Sequence, residues 1–195
     1  MTVGRNDRGP HAADGNIPPS DERYLHTKRF EMADSQAFRQ AWGKFATGVS
    51  VVTSKERDGH IHGMAANGIA SVSLDPMLVL VCVGHNRNSY EHIKGSGRFA
   101  INILAEDQRN IAEYYAMPQE QRKDDPDATF TMTKAGGAFL DGSLAKMDCR
   151  LVDEYVTGDH SIFIGEVDEI EIAEGRPLLF NEGKFRRLDA NGSTS

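Results

Sequence analysis

The stretch Gly63-Met64-Ala65-Ala66-Asn67-Gly68-Ile69-Ala70-Ser71-Val72-Ser73-Leu74-Asp75-Pro76 runs straight into the apolar segment Met77 to Val83. It reads as a strand, a turn of small residues and a second, fully apolar strand. Between them lie backbone amides with almost no side-chain bulk, hydroxyls at Ser71 and Ser73, and the side-chain amide of Asn67. A flat, phosphate-bearing cofactor asks this of β-structure: close backbone approach and uncharged donors. A strand that simply enters a turn has the same residues, and residue types alone leave the two readings level.

The common nucleotide signatures are missing. A G-x-G-x-x-G fingerprint must follow a strand and open a helix. The one candidate, Gly95-Ser96-Gly97-Arg98, follows a predicted helix and precedes a predicted strand, so it is rejected. There is no G-x-x-x-x-G-K-[ST] loop and no G-x-S-x-G elbow. His60-Ile61-His62 offers two imidazoles without a clear third ligand, which reads as solvent-facing or hairpin histidines and as no metal site. Cys82 and Cys149, each inside an apolar run, read as two reduced core thiols.

A length of 195 residues supports one domain with a real core. The formal net charge of −7 argues against general affinity for nucleic acid but leaves room for one local phosphate pocket. Met77 to Val83, the longest apolar run, is too short to span a bilayer. The N-terminus lacks a charged-then-apolar export pattern, so the expected location is the cytoplasm.

The elements that must position the small-residue stretch follow from pattern. Residues 1–30, poor in large apolar groups, read as an extended or disordered arm, with Ile17, Tyr24 and Leu25 as possible anchors on a partner subunit. Residues 31–188 form the domain, and 189–195 a frayed tail. Asp34 or Ser35 caps a helix to about Phe45 that turns Phe38, Trp42 and Phe45 toward the core. Val49 to Thr53 and His60 to Asn67 pair across the Asp58-Gly59 turn. Met77 to Val83, apolar on both faces, is placed in the centre of a sheet or barrel. Asn88 with Glu91 suggests a capping box for a helix to Lys94. Arg98 to Leu104 is a strand, and Glu106 to Ala116 a helix with Ile111 and Tyr115 inward, stopped at Met117-Pro118. The charged segment Gln119 to Thr133 reads as a loop. Leu144 to Val156 and Ser161 to Ile172 are long strands, the second changing phase near Gly165-Glu166 as at a β-bulge. Pro177 to Phe180 and Phe185 to Leu188 close the pattern. About six to eight strands, mostly hairpin-connected, with two or three helices, describe an antiparallel barrel with peripheral helices.

Five pieces, in order over roughly residues 35–188, resemble the short-chain flavin reductase family. They are Phe38-Arg39 through Phe45-Ala46-Thr47-Gly48-Val49 to Thr53; Gly63-Met64 through Asp75-Pro76; Phe99-Ala100-Ile101-Asn102-Ile103-Leu104; Gly158-Asp159-His160; and Pro177-Leu178-Leu179-Phe180 with Gly183-Lys184-Phe185-Arg186-Arg187. Each piece is weak alone, and the ordered set is specific. The resemblance implies a mainly β, antiparallel split barrel of the FMN-binding type, a homodimer, and an NAD(P)H:flavin oxidoreductase. Hydride would pass from NADH or NADPH to FMN or FAD, and reduced flavin would go to a separate monooxygenase component. The acidic balance and the lack of an arginine cluster for a 2′-phosphate lean toward NADH. A protein that holds FMN tightly and acts on another small molecule, and a flavin-binding module without turnover, are the rival readings.

The resemblance also implies site residues. Gly63, Met64, Ala65, Ala66, Asn67, Gly68 and Ser71 would line the flavin, joined by Cys82, Val83 and Gly84 at the end of the apolar strand. Asn88 and Ser89, at a helix N-terminus, suit the flavin phosphate, and Arg87 could pair with it. Tyr115 matches an aromatic near the flavin, with core packing as the equal alternative. His160 would sit near the open flavin face and orient the nicotinamide or buffer charge, while Asp159 fixes the turn. Asn181, Gly183, Lys184 and Phe185 match a segment that touches the dinucleotide. Ile69-Ala70 stands where the family usually has Phe-Thr, so an aromatic beside the flavin is missing.

Overall fold

The computed structural model describes residues 33–123 and 126–188. The expected arm over residues 1–30 and the tail over 189–195 lie outside the described residues. Among the described residues three α-helices and twelve strands follow one another, with a short 3-10 turn at Gln119–Gln121: α1 (Ser35–Gly43), β1 (Thr47–Gly48), β2 (Ser50–Lys55), β3 (Ile61–Ala66), β4 (Ile69–Leu74), β5 (Met77–Gly84), α2 (Asn88–Ser96), β6 (Arg98–Ile103), α3 (Arg109–Ala116), β7 (Phe130–Met132), β8 (Ala138–Leu140), β9 (Ala145–Thr157), β10 (His160–Ile172), β11 (Leu179–Asn181) and β12 (Lys184–Arg186). The strand count exceeds the six to eight expected because β1, β7 and β8 are pieces of two or three residues, too short to carry a period, and because Ile69–Leu74, read from sequence as part of a small-residue turn, is a strand of its own, β4. Among the described residues no helix is long and apolar enough to cross a membrane.

The main sheet has seven strands in the order β3-β2-β6-β9-β10-β5-β4, every neighbour antiparallel. Its two edge strands, β3 and β4, are consecutive in sequence and joined only by Asn67-Gly68. The sheet is therefore a split barrel whose seam lies at the small-residue stretch. Two small sheets, β1-β11-β12 and β7-β8, flank it.

β2 shows why the core has two compartments. Residues 50–54 are buried on both faces. Val52 points into the cluster of Val79, Val81, Val83, Phe99, Ile101 and Phe163, while Val51 joins Leu104, Ile111, Ala112, Tyr115 and Leu140 beneath α3. α2 closes the first cluster with Ile93, which is fully buried. The long β9-β10 hairpin shifts register between Ile164 and Gly165 and again between Val167 and Glu169, at the expected bulge. Gly165 is required there, since a Cβ would stand 2.5 Å from Cζ of Phe99.

Three expectations are corrected. α1 starts as read, with the Asp34 carboxylate accepting from the amides of Gln36 and Ala37. Its apolar face does not meet the core, however: Phe38, Trp42 and Phe45 are 68%, 60% and 63% exposed. The helix is held by its C-terminal end, where the Gly43 carbonyl accepts from the Glu182 amide and from Asn181 Nδ2, and Lys44 pairs with Glu182. β5 is second from the sheet edge, between β10 and β4, so Leu78, Leu80 and Cys82 on its outer face are only half-buried. Asn88 is already the first residue of α2. The cap position falls to Arg87, whose amide turns back to the Gly84 carbonyl, and no side chain caps the helix.

Candidate functional site

The seam opens into a cleft of about 610 Å³. Met64, Ala65, Ala66, Asn67 and Gly68 from the end of β3 and the turn after it form one wall. Cys82 and Gly84 of β5 and Asn88 and Ser89 of α2 line it as well, with Tyr115 of α3 and His160 at the start of β10. Eleven of the positions expected from sequence thus share one cavity. The local chemistry explains the smooth wall. Gly68 leaves its carbonyl open to the Cys82 amide at 2.8 Å, and a Cβ on Gly68 would come within 3.3 Å of Cys82 Cβ. Gly84 is equally confined, since a Cβ there would lie 3.0 Å from Asn86 Oδ1 and 3.4 Å from His160 Nε2.

One end of the cleft carries a cation and amide donors. Arg87, Asn88 and Ser89 line it where α2 begins without a side-chain cap, so the helix presents unpaired dipole density and amide donors there. α2 is fixed by its next residue. Tyr90 stacks on Phe163 at 5.6 Å and donates to Glu154 Oε1 at 2.9 Å. Ser161 donates to the same carboxylate at 2.8 Å, and Lys94 pairs with Glu154 at 2.9 Å. Asn88 Nδ2 donates to Gln119 Oε1 at 2.6 Å, which ties the helix start to the segment after α3.

His160 stands beside Arg87, since a Cβ on Gly84 would lie 3.4 Å from His160 Nε2 and 3.7 Å from Arg87 Cγ. His160 is about half exposed, and its Nδ1 lies 2.7 Å from Asp159 Oδ1. The imidazole holds the Asp159 carboxyl below its ordinary range through that hydrogen bond. Asp159 therefore orients His160 rather than only shaping the turn. β10 sets the ring against Gly84, its register partner on β5.

Tyr115 satisfies both readings given to it. Its ring is 7% exposed and packed in the core beneath α3, and it also borders the cleft. The ring packs against Gly63, where a Cβ would fall 2.5 Å from Tyr115 Cε1. Gly63 thus acts by making room for Tyr115, not by lining the cleft.

Several expected positions are not brought into the lining. The Val83 side chain points into the fully buried core, because alternation on β5 sends it opposite to Cys82. Ser71 sits in β4, beside the irregularity between Ser71 and Ser73. Asn181 is engaged with the end of α1, and Gly183 and Lys184 are exposed in the β11-β12 turn. Phe185 borders a smaller adjoining cavity of about 150 Å³ with Ala65, Ala66, Asn67 and Phe180.

Sequence reasoning missed Arg122. It lies in the segment read as a charged loop, yet it is the lock of the cleft's α3 side. Its guanidinium donates to the carbonyls of Gly63 at 2.9 Å and Met117 at 3.1 Å and lies 5.1 Å from the Tyr115 ring centre. Burial lowers its pKa from the ordinary arginine value. No sequence signal marks it, because its partners are backbone oxygens.

The histidines also differ from expectation. His60 is exposed, whereas His62 is 5% exposed and its Nε2 lies 2.8 Å from Ser89 Oγ. Burial first, then His92 and Arg122, push the His62 pKa down to about 4, so the ring is neutral at physiological pH. Cys149 is a buried core thiol as expected, pushed up to about 12 mainly by burial. Cys82 is half-buried on the cleft wall, and burial raises its pKa as well.

Comparison with known proteins identifies relatives of the whole domain. Residues 42–189 match the model of the flavin reductase like domain. The chain is 36% identical over 156 residues to an NADH-dependent flavin reductase of a Rhodococcus species, covering 79% of this chain and 86% of that protein. It is 36% identical over 164 residues to the reductase subunit HsaB of a flavin-dependent monooxygenase from Rhodococcus jostii, covering 82% of this chain and 80% of that one. The structure of an NADH:FAD oxidoreductase of Streptomyces globisporus, in complex with NAD and FAD fragments, superposes with a TM-score of 0.74 at 31% identity, over 84% of this chain and 99% of that one. A split barrel with a bare-backbone cleft at its seam and a family match over most of its length place this chain in the flavin reductase like family.

Proposed function

We propose that this protein is an NAD(P)H:flavin oxidoreductase that reduces FMN or FAD with NADH as the preferred donor and supplies the reduced flavin to a separate monooxygenase. The observation that carries this is the cleft at the seam, walled by bare backbone from Met64 to Gly68 and ending on the uncapped start of α2. The family resemblance and the relatives' activities support it.

The residues fit a flavin. Glycines 68 and 84 keep the wall flat where a Cβ would crowd Cys82, Asn86 and His160. Asn67 carries a side-chain amide at the wall, steadied by a 3.4 Å contact to Thr47 Oγ1. Arg87, Asn88 and Ser89 offer a cation, amides and a hydroxyl to a phosphate. When bound, the flavin supplies the acceptor for a hydride from the reduced nicotinamide, chemistry that needs no strong acid or base from the protein. The chain's own task is positioning. Tyr115 and Arg122 brace the wall, and His160, held by Asp159 and half exposed beside Gly84, orients the incoming nicotinamide.

We extend the reading to a homodimer. The exposed Phe38, Trp42 and Phe45 and the half-buried outer face of β5 give a second copy an apolar surface to cover.

Steady-state NADH oxidation with added FMN, FAD or riboflavin tests the activity, and no turnover with any flavin would overturn it. Gly63→Ala is expected to push Tyr115 off the wall and weaken flavin binding on the order of tenfold, measured by flavin fluorescence titration. Unchanged affinity would remove Tyr115 from the site.

A further inference from the structure

Three elements bring metal-ligating side chains together: Glu56 after β2, His62 on β3, whose ring also borders the seam cleft, and His92 on α2. Glu56 Oε1 lies 3.6 Å from His62 Nδ1 and 3.7 Å from His92 Nε2, and the three donor atoms all fall within 4.8 Å of one another. These separations are too long for N–H···O hydrogen bonds. They suit donors that share an ion: ligands at about 2.1 Å from a tetrahedral Zn²⁺ stand about 3.4 Å apart. The two rings are tilted by 44° at a centroid distance of 4.8 Å.

We propose that Glu56, His62 and His92 form a site for a divalent transition-metal ion, with Zn²⁺ the best fit and the remaining positions open to solvent.

The surroundings supply what such a site needs. His62 Nε2 is engaged by Ser89 Oγ at 2.8 Å, which fixes the ring and directs Nδ1 at the other two ligands, the role of an outer-shell partner in metal centres. Two imidazoles and one carboxylate carry a single negative charge, which favours a divalent cation. Nitrogen donors select zinc, nickel or copper over magnesium and calcium. Arg122, whose charge also reaches His62, is tied to the Gly63 and Met117 carbonyls, and Glu56 supplies the opposing charge. An ion can enter: the Glu56 and His92 side chains are 21% and 23% exposed and border a cleft of about 810 Å³. The ion would clamp the end of the β2-β3 hairpin to α2.

The test uses the full chain without an affinity tag, stripped with chelator and titrated with ZnCl₂ by calorimetry and with Co²⁺ by visible absorption. The expected result is one ion per chain, the intense d–d bands of low-symmetry Co²⁺, and a Zn²⁺-dependent rise in Tm. His92→Ala and Glu56→Gln, neither of which lines the flavin cleft, should each weaken Zn²⁺ binding on the order of a hundredfold and abolish the Tm rise. Two variants at different elements guard against a folding failure in one. Zinc that binds equally well to wild type and both variants, as to scattered surface histidines, would overturn the site. So would Co²⁺ that stays octahedral, or the absence of saturable binding.

Discussion

Two helices of nearly equal length, α1 and α3, carry apolar residues at helical spacing and meet opposite fates. In α3, Ile111, Ala112 and Tyr115 are buried against Leu104, Leu140, Val49 and Val51. In α1, no residue is buried, and Phe38, Trp42 and Phe45 lie open, with Trp42 and Phe45 rings 5.6 Å apart. A periodic stripe states that a face wants cover; it does not state what covers it. α3 follows β6 directly and folds back over β2, so the chain itself supplies the cover. α1 precedes the barrel and is anchored at one end by the β11-β12 turn, so its stripe is left for something else.

The contrast is broken most forcefully in α3. Ile111→Ala should cost about 2–5 kcal/mol of global stability, because its pocket among Leu104 and Leu140 cannot collapse around the missing atoms. Chemical denaturation would read this as a lower midpoint at unchanged slope. A loss below about 1 kcal/mol would mean that α3 is as loosely attached as α1.

In α1 the cap matters more than the face. The Asp34 carboxylate holds two of the four orphan amides, those of Gln36 and Ala37, at 2.8 and 2.7 Å. Asp34→Ala should lower local helix stability by about 1 kcal/mol, seen as roughly fivefold faster hydrogen exchange across α1. The denaturation midpoint should barely move, since among the described residues α1 buries no side chain. A large global loss would show instead that α1 is part of the cooperative unit.

This difference also marks what could be read in the sequence. Strands with a clear period, the Asp58-Gly59 hairpin and the Gly165 bulge were legible because local sterics decide them. Gly59 has φ +96°, and Gly165 leaves no room for a Cβ. The small-residue wall from Met64 to Gly68 was legible as backbone without bulk. Arg122 was not, since its partners are main-chain carbonyls brought close by tertiary folding. The meeting of His62 with His92 and Glu56 was hidden for the same reason: 30 residues separate the two histidines, and only α2 lying beside β3 closes the gap. Ser89 read as a helix-start hydroxyl, and its bond to His62 was invisible.

The smallest expected signal is the most direct test of what α1's open face is for. Trp42 is the chain's only tryptophan and is 60% exposed within one chain. If a second copy covers the face, concentrated protein should show blue-shifted emission that moves red on dilution through the dissociation range. Phe38→Ala, one turn earlier on the same stripe, should shift that transition to higher concentration by roughly tenfold, the loss of one buried aromatic at an interface rim. Within a single chain the same substitution should change stability by no more than about 0.5 kcal/mol, because Phe38 is 68% exposed. Emission that is red at all concentrations, with sedimentation showing one chain, would leave the face to a different partner and remove the homodimer from the proposed function.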